Sequence, residues 1–370
     1  HFFSWVWILY QITKTVTNMN TIKKIILLFC VTTSFVACKD DEISNIDNKF
    51  TSEIDNIVDN VILSTYKNLD EKAGDLVTAL GTLNNARTQA NLEAGREAWR
   101  ATRIPWEQSE GFLFGPVDAQ GLDPAMDSWP VNVEDLNAVL NSSDNITKSY
   151  LDALEGTVKG FHTLEWLLFG LNGDKPVSEL TDRQFQYLQA CAQSLKGATS
   201  QLYNAWKEDG GNFGAIVKTA GQAGNNTYIS QKVAIQEFKD GMLLIADEVG
   251  NGKIDEPFSS ENLLFEESRF SANSKADFAN NMRSIQNIYL GGVNGSTGLG
   301  LSSIVKEKNN ALDAELKTAI SEAINAIEAI PGTFSDAVFN NKVAVSNAQN
   351  KVKTLETLIK SKLEPLINSL

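Results

Sequence analysis

Ile54-Asp55-Asn56-Ile57-Val58-Asp59-Asn60-Val61-Ile62-Leu63-Ser64-Thr65-Tyr66-Lys67-Asn68-Leu69 is the stretch that decides the fold class. Ile54, Ile57, Val58, Val61, Thr65 and Leu69 step by three and four, which gives one apolar helical face with polar residues filling the gaps. The far end of the chain repeats the pattern with Val352, Leu355, Leu358, Ile359, Leu363, Leu366 and Leu370. Between them, similar periodicity runs near 86–113, 146–170, 179–207, 230–249, 275–290 and 309–330. No run alternates apolar and polar residues long enough to propose a sheet. The reading is an all-α fold of helix bundles. Glycine and proline mark the breaks: loops at 115–130, 171–176, 251–260 and 291–300, and a glycine-rich stretch over 210–226. That stretch is the expected boundary between two bundles, 51–209 and 225–370, packed side by side.

The first 50 residues read differently. Residues 1–18 are apolar and aromatic, and a better start follows at Met19. Lys23 and Lys24 form a positive segment, Ile25 to Phe29 begin an apolar one, and Phe35-Val36-Ala37 leads into Cys38. This is the pattern of a bacterial lipoprotein signal, with cleavage before Cys38 and lipidation of that residue. Residues 1–37 are therefore expected to be upstream sequence and signal, and 38–50 a lipidated tether. Lys39-Asp40-Asp41-Glu42, a lysine followed by acids, resembles a surface-export signal of bacterial lipoproteins. Expected localisation is a lipid anchor in the outer membrane, facing the periplasm or the cell surface. Of three cysteines, Cys30 falls in the signal and Cys38 is the lipid site, so Cys191 alone remains and the fold must be held by its core.

The chain of 370 residues carries a net charge of −14, and the three lysines and no acid of residues 1–37 leave −17 on the rest. Such a surface repels nucleic acid and anionic headgroups and attracts cations, so contact with the membrane is expected through the lipid alone.

After residue 37 there is one histidine, His162, in Gly160-Phe161-His162-Thr163-Leu164-Glu165-Trp166-Leu167-Leu168-Phe169-Gly170. His162 and Glu165 stand at i and i+3 on one helical face amid apolar neighbours. There they are costly unless paired or ligated, and a buried His–Glu hydrogen bond satisfies them as well as a metal would. One histidine excludes the His-Glu-x-x-His zinc helix, the two-histidine facial triad and the symmetric di-iron bundle. A metal site would need one imidazole plus oxygens, a set that suits iron, manganese, zinc or calcium alike. The richest source of oxygens is Trp99 to Gly111, where Arg103, Glu107 and Glu110 fall at i, i+4 and i+7, flanked by Trp99 and Trp106. A surface ion-pair ladder accounts for the same spacing. Pro105 is expected to kink or restart that helix.

These residues resemble the imelysin-like family. Its Gly-x-His-x-x-Glu hallmark is Gly160, His162 and Glu165, and the upstream segment is similar through Ala98-Trp99, Arg103-x-Pro105-Trp106, Glu110-Gly111-Phe112, Gly115-Pro116, Asp123-Pro124 and Trp129-Pro130. The second half matches more loosely at Asp247-Glu248, Lys253-Ile254, Pro257, Glu267-Ser268-x-Phe270-Ser271, Asp277-Phe278 and Asn281. The resemblance implies two helical domains with the motif in a pocket at their interface, and association with bacterial iron uptake. It also carries a peptidase label that the residues themselves do not support, since neither a second histidine nor a nucleophile triad is present.

The first expectation is therefore a binding protein that takes a metal ion, iron foremost with zinc or calcium as alternatives, or an iron-bearing ligand, and passes it to an uptake partner. His162, Glu165, Glu110 and Glu107 are the expected ligands. Arg103, Gly160, Trp106, Asp277, Asn281 and Ser271 are expected to bind or orient what is held. A metallopeptidase with the same residues is the second reading, and a metal-free clamp for a glycan, siderophore or partner protein the third.

Overall fold

In a computed structural model, residues 48–370 are described; Cys38 and the expected signal and tether to residue 47 lie outside them. Eight principal helices organise the described residues: α1 (Ser64–Asn85), α2 (Gln89–Glu107), α3 (Gly160–Phe169), α4 (Asp182–Trp206), α5 (Gln231–Asp247), α6 (Ser274–Leu290), α7 (Asn310–Glu328) and α8 (Lys342–Leu358). No strand occurs among the described residues, so the all-α reading holds. The deciding stretch enters α1 through Thr51–Asn56 and a wider π-type turn at Ile57–Leu63, with Ile54, Ile57, Val58, Val61, Thr65 and Leu69 all buried. Among the described residues no helix is long and apolar enough to cross a membrane.

Caps account for several of the helix starts. Thr181 and Gln184 form a reciprocal capping box at α4, and Thr88 and Ser230 accept backbone N–H bonds at the starts of α2 and α5. Pro105 neither kinks α2 into two helices nor restarts it: α2 continues to Glu107. Pro105 lies in the last turn, where the lost N–H costs one bond and the helix is about to end.

Three other expectations change. The loop over 115–130 contains two short helices, Pro116–Ala119 and Leu122–Asp127. The loop over 251–260 is a π turn, Glu248–Lys253, continuing α5 and followed by helix Asp255–Ser260. The periodic stretch 146–170 breaks into Lys148–Asp152 and α3.

Helices α1, α2, α3 and α4 pack on one another, as do α5, α6, α7 and α8. The first group falls within residues 64–206 and the second within 231–358, one apolar core runs through both, and the described residues make one compact unit. The groups meet where α2 lies against α6 and the turn Glu110–Phe112 against α5. Gly241 is required here: a Cβ on it would stand 2.0 Å from the Gly111 carbonyl oxygen, so any side chain would push α5 off the turn.

Candidate functional site

The meeting line of the two groups is polar. Arg103 leaves the buried face of α2 and is fully enclosed, its guanidinium 5.0 Å from the Phe161 ring and 5.9 Å from that of Trp99. It pairs with Glu107 one turn on and with Asp127, and stands 3.2 Å from Glu267 Oε1 and 3.4 Å from Asp277 Oδ1. Asp127, at the end of helix Leu122–Asp127, also accepts from Trp106 Nε1 at 2.6 Å. Its Oδ1 lies 3.1 Å from His162 Nε2.

Gly160 explains this approach. Its φ is +79°, and a Cβ there would sit 2.2 Å from the Met126 carbonyl oxygen. Only glycine lets α3 begin directly against the residue preceding Asp127. The first glycine of the Gly-x-His-x-x-Glu motif thus sets the distance between His162 and Asp127.

The other face of the imidazole is held as well. His162 Nδ1 lies 3.1 Å from Glu165 Oε2, and Glu165 Oε1 accepts from both the backbone N–H and the hydroxyl of Ser271, each at 2.8 Å. Arg100 in turn donates to the Ser271 carbonyl at 2.9 Å.

A second cation enters from the π turn. Lys253 Nζ is 2.8 Å from Glu110 Oε2, 3.1 Å from Glu267 Oε1 and 3.8 Å from Glu107 Oε2. From α6, Asn281 Nδ2 donates to Glu107 Oε2 at 2.6 Å and to Glu110 Oε2 at 2.9 Å, and Asn273, just before α6, donates through Nδ2 to Asp277 Oδ1 at 2.8 Å. The side chains of Arg103, Glu107, Glu110, Asp127, His162, Glu165, Lys253, Glu267 and Asp277 are 0–9 % exposed, so the cluster is sealed from solvent.

The imelysin model, Peptidase M75, matches residues 62–362. The chain belongs to the imelysin family. Iron-regulated protein A of Synechococcus elongatus is 30 % identical over 319 residues, covering 85 % of this chain and 86 % of that protein. A crystal structure described as an iron-regulated protein A precursor from Parabacteroides distasonis superposes with a TM-score of 0.78 at 26 % identity, covering 87 % of this chain and 95 % of that one. An imelysin-like protein from Psychrobacter arcticum shares the fold at 16 % identity, with a TM-score of 0.68 over 85 % of this chain and 94 % of its own.

The imelysin motif residues and the α2 stripe converge, although the sequence separates them by more than fifty positions. Arg103, Trp106, Glu107, Glu110, Gly160, His162, Glu165, Ser271, Asp277 and Asn281 all line or support the cluster. Glu165, however, sits on the far side of the imidazole from the other carboxylates, against Ser271. Three members of the cluster lay outside the expected site residues. Asp127 ends a segment read as a loop, while Lys253 and Glu267 appeared only as loose family matches in irregular segments. Their signal was there in kind: a lysine and an acid in polar runs next to motif residues.

Burial and charge set the protonation. Burial opposes a charge on His162, but Asp127 beside Nε2 overrides it and, with the bond to Glu165, pushes the imidazole up to about 10. Burial opposes a charge on Asp127 as well, yet Arg103 and His162 hold it far below the carboxylate range. Glu107 and Glu110 go the other way. Burial raises both well above the ordinary value, and the crowding of Glu267 adds to the rise, although Arg103 lowers the first and Lys253 the second.

The donor set fits a metal ion. His162, Asp127 and Glu267 each offer one ligand atom within 4.8 Å of the others, and so do Glu107, Glu110, Asp127 and Glu267. Oxygen ligands about 2.0–2.6 Å from a hard divalent ion span such separations. Among the described residues, the five carboxylates Glu107, Glu110, Asp127, Glu267 and Asp277 pair with Arg103, Lys253 and His162. Were all five ionised they would outnumber Arg103, Lys253 and a charged His162, and the raised pKa values of Glu107 and Glu110 show where that surplus is taken up by protons in the absence of another cation. Glu267 Oε2 and Asn281 Oδ1 are buried with no hydrogen-bond partner. Buried unpaired acceptors at this density are costly unless something positive completes them.

Proposed function

We propose that this imelysin-family protein binds a metal ion, iron foremost, in the cluster between the two helical groups and serves bacterial iron uptake. The observation that carries the reading is the convergence of ligand atoms from His162, Asp127 and Glu267, and from Glu107, Glu110, Asp127 and Glu267, each set within 4.8 Å, in a buried cluster that also holds unpartnered oxygens. His162 Nε2, once the ion displaces its proton, with Asp127, Glu267, Glu110 and Glu107, would hold the ion. Glu165 acts one bond further out: it fixes the ring through Nδ1, as ligating imidazoles are commonly fixed, and Ser271 fixes Glu165. Oxygen-rich sets with a single imidazole suit hard, oxygen-seeking ions, which agrees with iron and leaves calcium and zinc as competitors to be measured. The relatives named iron-regulated protein A support iron over the others. An N-terminal lipid at Cys38, anchorage at the outer membrane and hand-over to an uptake partner complete the proposal.

The enclosure of the cluster favours an ion over a peptide as its occupant, because a polypeptide substrate needs an open groove. A metal-free clamp is the second reading, and it has its own support: Arg103 and Lys253 already bring two positive charges among the carboxylates.

Metal content by mass spectrometry separates the two. The purified protein is measured after iron, zinc or calcium is offered and the excess removed, with His162→Ala and Glu267→Gln in parallel. Near-stoichiometric iron in the wild type and little in either variant is expected. No retained metal in any of the three overturns the metal reading in favour of the clamp.

A further inference from the structure

The cluster's two permanent cations are held in different ways. Arg103 is wedged between aromatic rings and paired with four carboxylates. Lys253 reaches in from the edge on a flexible stem, as the last residue of the π turn Glu248–Lys253. We propose that Lys253 is a tethered stand-in for the metal ion, a resident ammonium that holds the binding carboxylates together and withdraws to Glu248 when a multivalent cation binds. This rests on the metal-binding reading above and adds to it a device for gating and charge selection.

The geometry makes Lys253 and a metal ion competitors. Its ammonium touches Glu110 and Glu267 and lies 3.8 Å from Glu107. These are three of the four carboxylates whose oxygens converge within 4.8 Å. An ion bound to those oxygens would leave Nζ facing a like charge across a few ångströms in a sealed, low-dielectric space, where repulsion is strong. One of the two must leave, and the lysine is built to do so. A lysine is a point charge on four rotatable carbons, whereas an arginine fork is fixed by its bidentate contacts.

The destination is also present. Glu248 Oε1 lies 3.8 Å from Nζ, on a side chain 51 % exposed. Residues five apart stack on one face of a π turn, so Glu248 and Lys253 remain neighbours while the stem swings; such turns recur at functional positions. Glu248 is therefore the half-exposed carboxylate beside the lysine that receives the displaced ammonium.

The arrangement selects by charge. A monovalent ion brings no more charge than the ammonium it would replace and gains nothing. A divalent or trivalent ion brings enough charge to ionise Glu107 and Glu110 and to replace the ammonium at once.

Calorimetric titration of Fe(II), without oxygen, and of Mn(II) tests this on the purified wild type, Lys253→Met and Glu248→Gln, with thermal melting of each protein before metal is added. Lys253→Met is expected to bind at least ten-fold more tightly than wild type, to melt at a lower temperature without metal, and to recover when metal is added. Glu248→Gln is expected to bind several-fold more weakly with its melting temperature unchanged, because the displaced ammonium loses its partner. Wild-type binding with equal or weaker binding by Lys253→Met overturns the gate and leaves the metal site standing. Absence of binding by both wild type and Lys253→Met at millimolar metal overturns the metal reading and the gate with it. If Lys253→Met does not fold, Glu248→Gln decides: affinity equal to wild type overturns the proposal.

Discussion

The two ends of the cluster are built on opposite principles. At the His162 end nearly every polar atom has a fixed partner: Glu165 is held by Ser271, the imidazole by Glu165 and Asp127, and Asp127 by Arg103 and Trp106. At the Lys253 end Glu267 keeps one oxygen unpartnered, Asn281 keeps its amide oxygen unpartnered, and burial, with neighbouring carboxylates adding to it, raises the pKa values of Glu107 and Glu110. The first end is a preorganised frame and the second an unsatisfied one. In a binding site the frame defines where a ligand sits, and the unsatisfied end supplies the free energy for taking it. Perturbing the frame should therefore cost stability, whereas perturbing the other end should change what is bound.

Arg103 gives the largest effect and the hardest test of that division. Arg103→Met keeps the apolar stem between Phe161 and Trp99 but leaves Asp127, Glu107 and Asp277 without their common cation. Removing one partner from a buried ion network costs about 3–5 kcal/mol, since the remaining charges stay buried and unpaired. Urea denaturation of the metal-free protein is expected to show a loss of that size. A loss below about 1 kcal/mol would mean that Arg103 acts as an ordinary surface pair and that the frame is not a frame.

The pH profile of the same measurement comes next. His162 is charged in the folded protein, with its pKa raised from 6.5 to about 10. Its contribution to stability is fully present below pH 6.5 and is lost as pH rises through about 10. The difference in stability between wild type and His162→Gln should be flat up to about pH 6.5 and shrink steadily above it. The carboxylates of the other end run in the same direction, so only the difference between wild type and His162→Gln isolates the imidazole. With their pKa values raised above 4.5, Glu107 and Glu110 favour the folded state while protonated, and that preference fades as they ionise. A wild-type advantage over His162→Gln that grows between pH 7 and 10 would break the comparison, because it would place an uncharged imidazole in the frame.

How much of this was legible in the sequence follows the same line. Helical spacing exposed the frame: His162 with Glu165 at i and i+3, and Arg103 with Glu107 at i and i+4, are neighbours by geometry alone, and α2 and α3 carry them. Glu110 joined the same stripe even though α2 ends at Glu107 and Glu110 sits in a separate 3₁₀ turn. The unsatisfied end was largely illegible. Glu267 lies in an irregular segment and Lys253 in a π turn read as a loop, so no period assigned either side chain a direction. Asp127 was hidden for another reason. Its approach to His162 depends on the absence of a side chain at Gly160, and the sequence displays that glycine without naming what it must clear.

Ser271 offers the finest test, because it touches the frame from the other half of the chain. Its hydroxyl donates to Glu165 Oε1, and its own backbone N–H donates to the same atom at the same 2.8 Å. Ser271→Ala removes the first bond and leaves the second. The loss in stability is expected to be about 0.5–1.5 kcal/mol, the ordinary net worth of one buried hydrogen bond. Glu165 should still hold the imidazole, so metal affinity should fall by no more than a few-fold, well short of the roughly 10–100-fold lost when an outer-shell partner of a ligating histidine is removed outright. Stability by urea titration and affinity by calorimetry, taken on one preparation, check both numbers. A stability loss near that of Arg103→Met would show that the Ser271 loop anchors the two helical groups to each other. A large affinity loss with little change in stability would show instead that Glu165 is set by the hydroxyl and that the frame reaches across to the second group of helices.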